Sequence, residues 1–170
     1  MDNNNTRANY FFTQNKFNEL DILPIVIIDN IKTPENLGSI IRLAGNLGID
    51  NIYVLNQHNN FRNSKIKATA STAFADIKIT HCDYNFLDTI NDYTFFIVET
   101  DKSAKNIYKT VLPKKSAFIF GNEAHGVSNF LLQKINNKIF IPMHGNTKSM
   151  NIAQSATVVL FEWLRQNFYK

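Results

Sequence analysis

Residues 25–48 read IVIIDNIKTPENLGSIIRLAGNLG, and the order of features in this stretch decides the fold class. Ile25–Asp29 is four apolar side chains in unbroken succession, closed by an acid. A run that is apolar at every position suits a strand buried on both faces, as in a parallel sheet. A proline-containing loop follows, and a helix begins near Asn36. Asparagine is a favoured helix cap, and Pro34 and Glu35 suit a helix entrance. Over Leu37–Leu47, the side chains of Ile40, Ile41, Leu43, Ala44 and Leu47 share one face, with Arg42 opposite. Strand, polar loop and amphipathic helix together make one α/β unit.

The same alternation continues outward. Further strands are expected at Asn51–Leu55, Ile77–Thr80, Thr94–Val98, Ser116–Phe120 and Lys138–Pro142. Further helices are expected at Lys65–Phe74, Phe86–Asn91, Val127–Ile135 and Ser149–Phe168. This pattern predicts an α/β layered fold with a mostly parallel sheet. Ligands in such folds bind at the carboxyl ends of strands. Residues 21–170 read as a single domain. Residues 1–20 read as a polar, asparagine-rich lead-in, in which Tyr10, Phe11, Phe12 and Phe17 could pack on the body or on a partner.

Composition narrows the function classes. The 170 residues carry a formal net charge of +4, and the sequence pI is about 9.1. That is a mild lean toward polyanions. The single cysteine, Cys82, excludes an intramolecular disulfide. His58, His81, His125 and His144 are scattered without metal-ligand spacing, so no metal is expected. Met1–Asn9 has no apolar signal core, and no run approaches the roughly 18 apolar residues of a membrane span. A soluble, cytoplasmic protein is expected.

Three loops carry the chemistry. In the first, Gly38 and Gly45 stand beside Arg42, and each interior glycine costs a helix about 1 kcal/mol relative to alanine. Either something approaches closely at Arg42, or Arg42 is a surface residue and the glycines serve helix packing. The second loop, AFIFGNEAHGVS at Ala117–Ser128, takes a buried strand through Gly121 and Gly126 into a helix. It has neither a Walker lysine nor a G-x-G-x-x-G pattern, so P-loop and dinucleotide chemistry are not supported. Glu123 could cap the following helix, bind a ligand or act as a base, and His125 reads as an exposed loop residue. The third, IFIPMHGNTKSMNIAQSATVVLFEWLRQ at Ile139–Gln166, ends a strand at Pro142 and starts a long helix at Ser149. The stripe of Ile152, Ala156, Val159, Leu160 and Trp163 on that helix suits core or a dimer interface.

Taken together, the loops resemble the three motifs of the SpoU (TrmH-like) family of SPOUT-class methyltransferases. Asn36-Leu37-Gly38 with Arg42 resembles the first motif. Phe120-Gly121-Asn122-Glu123 through Gly126 resembles the second. Ile141-Pro142-Met143 with Ser149-Met150-Asn151, ending at Arg165-Gln166, resembles the third. The likeness covers about residues 25–167.

The resemblance implies transfer of a methyl group from S-adenosylmethionine to a ribose 2′-hydroxyl of RNA. It also implies a C-terminal trefoil knot that forms the cofactor pocket, and a homodimer. Gly121, Ile141, Met143 and Ser149 are expected beside the cofactor, with Met150 and Ile152 as neighbours. The chain lacks the large extra RNA-binding domain of many relatives and is similar to minimal members, which puts tRNA ahead of rRNA. Arg42 is the expected catalytic residue. An arginine stays charged at neutral pH, which favours holding phosphate and stabilising a developing alkoxide over accepting a proton. Glu123 is the alternative base, and Asn36 and Asn151 are orienting groups. A non-catalytic RNA-binding module or partner subunit of the same fold, and a SPOUT enzyme that methylates a base, are the alternative functions.

Overall fold

The structure, a computed structural model, describes residues 7–15, 20–55 and 61–169. Phe17 and His58 therefore lie outside the described residues. Among the described residues one sheet is built from β1 (Ile25–Asp29), β2 (Asn51–Leu55), β3 (Lys78–Cys82), β4 (Thr94–Val98), β5 (Lys105–Asn106), β6 (Ser116–Phe120) and β7 (Lys138–Phe140). Its order is β3-β2-β1-β6-β4-β7-β5, and every pairing is parallel. The helices are α1 (Arg7–Gln14), α2 (Pro34–Leu47), α3 (Asn63–Ala70), α4 (Ala73–Asp76), α5 (Asn129–Lys134) and α6 (Ile152–Phe168). None is long and apolar enough to cross a membrane.

The unbroken apolar runs are explained by burial on both faces of the sheet. Val26, Ile28, Phe118 and Phe120 join α2 and α6 in one core, where Trp163 is fully buried. The alternate residues Ile27, Ala117 and Ile119 turn the other way, toward Leu87 and toward Leu131 of α5. Each strand thus feeds two cores with period two.

Several local expectations are corrected. Asn36 does not cap a helix: α2 begins at Pro34, with Thr33 in the cap position. Proline fits there because its missing N–H is one that the first turn leaves unpaired. The single helix expected at Lys65–Phe74 is broken into α3 and α4 at Ser71, whose φ is 56°. Packing explains the break. A Cβ on Gly38 would meet the Ile66 carbonyl at 2.6 Å, and one on Gly45 would meet Ala73 Cβ at 2.9 Å. Ser71 leaves the helical conformation so that both contacts are met.

The stretch expected as a helix at Phe86–Asn91 is a 3-10 turn over Tyr84–Thr89, opened by Asp83, whose side chain accepts from the Asn85 amide. Helix α5 is shorter than Val127–Ile135, because Val127 and Ser128 are held by acids from other segments. Helix α6 begins at Ile152, not Ser149: the Asn151 side chain accepts from the Ala153 amide at 2.8 Å and sets the start. Strand β7 stops at Phe140, short of Pro142, and the two-residue β5 and the helix α1 inside the lead-in were not expected. Tyr10, Phe11 and Phe12 on α1 are exposed.

Candidate functional site

The carboxyl ends of β4, β6 and β7 lie side by side, and the loops that follow them enclose a cleft. Val98, Glu99 and Thr100 form one wall, Gly121 to Glu123 with Gly126 another, and residues from Phe140 to Ser155 the third. All six residues expected near a cofactor, Gly121, Ile141, Met143, Ser149, Met150 and Ile152, line this cleft. Its lining is mixed: apolar side chains from Val98, Phe140, Met143 and Met150, carboxylates from Glu99 and Glu123, and one ammonium from Lys148.

Glu123 is the hub between loops. Its carboxylate accepts from the Lys32 and Thr33 amides, both at 3.0 Å, and from Asn36 Nδ2 at 2.9 Å. Asn36 Oδ1 in turn accepts from Asn151 Nδ2 at 2.9 Å, and Asn151 Oδ1 caps α6. One chain of hydrogen bonds therefore ties all three motif loops. Burial pushes the Glu123 carboxyl up, but the hydrogen bonds from Asn36, Lys32 and Thr33 outweigh it and leave the group below its ordinary range. Such a carboxylate is a poor proton acceptor at neutral pH, since protonation would cost it three donors. Glu123 does not cap the helix that follows it; it holds the entrance of α2 instead.

The second loop is shaped by close approaches within the chain. A Cβ on Gly121 would lie 2.2 Å from both the Gly126 carbonyl carbon and the Val127 nitrogen. Gly126 has φ of 67°, and a Cβ there would lie 2.2 Å from Glu99 Oε2. The two glycines let the Asn122–Gly126 turn fold back on itself, with both backbone hydrogen bonds at 2.9 Å. Glu99 holds the far side of this turn by accepting from the Val127 amide at 3.1 Å. Asn122 holds the near side, donating to the Asn30 carbonyl at 2.7 Å and accepting from Ala124 at 2.8 Å. The buried Asp29 accepts from the Ser128 amide at 2.8 Å and from the Tyr84 hydroxyl at 3.2 Å.

Asp29, Glu99 and Asn122 were missed by the sequence reading. The first two could have been found, since each is the polar residue at the end of an apolar strand run. Asn122 stands within the second motif, but its role depends on the turn that it closes.

Arg42 is not brought to this cluster. It lies six residues along α2 from Asn36, about 9 Å further along the axis and roughly 120° round it. Its side chain is exposed and lines a second cleft with Gly45, Asn46, Ser71, Thr72 and Ala73. It makes no hydrogen bond or ion pair among the described residues. Gly38 and Gly45 are explained by helix packing, as one of the two sequence readings had it. His125 is exposed, and its backbone amide donates to Asn122. Among the described residues no three His, Cys, Asp or Glu side chains are placed to hold a metal ion.

Comparison with known proteins adds to this geometry. Residues 24–161 match the model of the SpoU rRNA Methylase family. An uncharacterized tRNA/rRNA methyltransferase from Borreliella burgdorferi is 31% identical over 146 residues, 84% of this chain and 64% of the relative. The 23S rRNA (guanosine-2′-O-)-methyltransferase RlmB of Neisseria meningitidis is 30% identical over 150 residues, 86% of this chain and 60% of the relative. The chain thus spans under two thirds of the length of both. Among solved structures, an AdoMet-bound rRNA methyltransferase from Sinorhizobium meliloti matches with a TM-score of 0.79 and 20% identity, over 89% of this chain and 59% of its own. A protein studied for 2-OH methylation of tRNA matches with a TM-score of 0.77 and 20% identity, over 85% of this chain and 96% of its own.

Proposed function

The chain belongs to the SpoU rRNA Methylase family, and from that premise we propose that it is an S-adenosylmethionine-dependent RNA methyltransferase that methylates a ribose 2′-hydroxyl. The observation that carries the reading is the hydrogen-bonded chain Glu123–Asn36–Asn151, which joins the first motif loop to the two that line the cleft. We put tRNA ahead of rRNA because the tRNA-directed protein is matched over 96% of its own chain.

The cleft residues fit the cofactor chemically. S-adenosylmethionine, when bound, supplies a methyl group already activated on a sulfonium. The Met143, Met150, Ile141 and Ile152 side chains offer an apolar wall for a purine. The carboxylates of Glu99 and Glu123 give the cleft a negative bias that suits a cation. Gly121 lines the cleft, and its lack of a side chain lets the Gly126–Val127 backbone close against it. Glu123, spent on the entrance of α2, positions the RNA-facing loops and is not the base. Arg42 stands free to hold a phosphate and to steady a developing alkoxide.

A knotted C-terminus and a homodimer belong to the same reading. In support of the knot, β7 enters between β4 and β5, and Trp163 and Gln166 of α6 bond back to segment 110–114. In support of the dimer, Phe161 on α6 is 46% exposed. A cytoplasmic location is part of the proposal, since RNA is the substrate.

The test is transfer of labelled methyl from S-adenosylmethionine to separate pools of tRNA and rRNA, followed by nuclease digestion. A labelled 2′-O-methylnucleoside is expected. Label in a base would convert the reading to base methylation, and no label with any RNA would leave a non-catalytic RNA-binding module.

A further inference from the structure

Four lysines in the second half of the chain are neutralised by nearby acids. Lys114, Lys115, Lys134 and Lys138 pair with Asp21, Asp92, Asp88 and Asp101 at 3.0, 3.3, 2.6 and 3.5 Å. The α3 region is built differently. Between Asp50 and Asp76 there is no acidic residue, while Arg62, Lys65 and Lys67 fall in that interval. All three cations are exposed. Lys65 reaches Glu35 at 3.7 Å, the longest ion pair among the described residues, and both partners are largely exposed, so the pair is weak and readily exchanged. Lys67 lies 5.2 Å above the Phe74 ring, and Arg62 has no ion pair among the described residues.

The helix periodicity arranges these charges. Ile66 and Ala70 are buried against α2, so the opposite crest of α3 carries Ser64 and Ala68, both small and exposed. Lys65 and Lys67 project from the two flanks of that crest. A smooth crest with one ammonium group on each flank suits an extended polyanion lying across the helix. It offers no apolar residue that would insert into a lipid surface. Helix α3 is packed on α2 through Gly38, and Arg42 emerges one turn further along α2, at the α3–α4 break. The track therefore runs from α3 to the free guanidinium of Arg42.

We infer that α3, through Arg62, Lys65 and Lys67, is a phosphodiester-binding surface that seats the RNA backbone and leads it to Arg42. This inference rests on the proposed RNA methylation and names the surface that serves it.

The experiment measures binding of the full chain to a fluorescein-labelled, unmodified tRNA transcript across a series of salt concentrations. Each phosphate contact contributes about 0.7–0.9 to the slope of log K against log salt. The triple variant Arg62→Gln, Lys65→Gln, Lys67→Gln is expected to bind about 10- to 100-fold more weakly at low salt, with a slope flatter by about 2–3. Its affinity for S-adenosylmethionine is expected to be unchanged, which also reports that the fold is intact. The charge-keeping variant Arg62→Lys, Lys65→Arg, Lys67→Arg is expected to bind as the parent does. Neutralising Lys102, Lys105 and Lys109 instead is expected to change the slope far less. An unaltered slope in the α3 variant, or an equal loss in the control variant, overturns the inference. So does binding to phosphatidylserine vesicles with none to tRNA. If the parent binds tRNA through α3 yet transfers no methyl to any RNA, the surface stands and the catalytic reading falls.

Discussion

Asn36 and Arg42 stand six residues apart on one helix, and their surroundings are opposite. Asn36 spends its amide on Glu123 and its carbonyl on Asn151. Arg42 projects into an open cleft with no polar partner among the described residues, beside a helix whose cations have few acids to neutralise them. A satisfied polar network fixes shape, because each member would lose a desolvated partner by moving. A charge without a partner contributes nothing to shape and keeps its full capacity for a ligand. On the proposed function, the Glu123 cluster serves architecture and Arg42 serves chemistry. The way to break that division is to show that Arg42 is structural, or that the cluster is dispensable.

The largest effect is expected at Arg42. Arg42→Ala should slow methyl transfer by about 10²–10³-fold, the usual loss when a charge-stabilising donor is removed. Thermal stability and cofactor affinity should hold, because among the described residues this side chain makes no hydrogen bond or ion pair. Arg42→Lys should also be poor, since an ammonium cannot reproduce the planar fork. Single-turnover transfer with calorimetry on the same samples separates the two effects. Parental turnover in Arg42→Ala, or a lowered melting temperature in that variant, would reverse the assignment.

A second effect is expected at Gly121. Its alanine variant places a methyl 2.2 Å from backbone atoms of Gly126 and Val127, and backbone cannot step aside as a flexible side chain can. Overpacking of this kind costs about 1–3 kcal/mol, and the cleft wall should distort with it. Both melting temperature and cofactor affinity are expected to fall, in contrast to Arg42→Ala. A variant with parental affinity would show that the turn tolerates opening and that the cluster is not rigid.

How much of this contrast was legible in the sequence follows from the range of the forces. The strands could be read, because burial on both faces writes itself as unbroken runs such as Phe95-Phe96-Ile97-Val98. The cleft residues Ile141 and Met143 could be located from the motif likeness and from the rule that ligands meet strand ends. Three features could not be read. The break at Ser71 depends on how α3 and α4 pack against Gly38 and Gly45 of a different helix. The start of α6 at Ile152 depends on which of Ser149 and Asn151 reaches a free amide. The role of Asn36 as a bridge, not a cap, depends on Glu123, 87 residues away. Each is decided by a tertiary partner, which local propensity does not encode.

The third prediction sharpens the cluster by pH. The Glu123 carboxyl lies below its ordinary value in the fold, so the stability it contributes is present above the usual glutamate range, about 4.3. That stability is lost as pH falls through the lowered value, because the proton then competes with three hydrogen-bond donors. Glu123→Gln turns an amide N–H₂ toward donors and should cost about 1–2 kcal/mol near neutrality, discounted for solvent exposure. The gap between parent and variant should close in acid. Denaturant midpoints measured from pH 7 down to pH 3 test this, and a gap that widens in acid would mean that the carboxyl is not ionised in the folded protein.

The smallest effect is expected at Asn151, and it discriminates between two jobs of one side chain. Asn151 Oδ1 accepts from the Ala153 amide at 2.8 Å, and Asn151 Nδ2 donates to Asn36 at 2.9 Å. Asn151→Ala removes both and should cost about 1 kcal/mol as a lost cap. Asn151→Asp keeps the cap and adds a charge favourable to a helix start, but it places an acceptor against the Asn36 oxygen. If the side chain serves only α6, the aspartate variant is at least as stable as the parent and fully active. If the bridge to Asn36 positions the loops, the aspartate variant keeps its stability and loses transfer rate, with cofactor affinity lowered less than the rate. The second outcome is expected, because α6 runs for 17 residues from Ile152 to Phe168 on a buried stripe and does not depend on its first hydrogen bond, whereas the join between the first and third loops passes through this one amide.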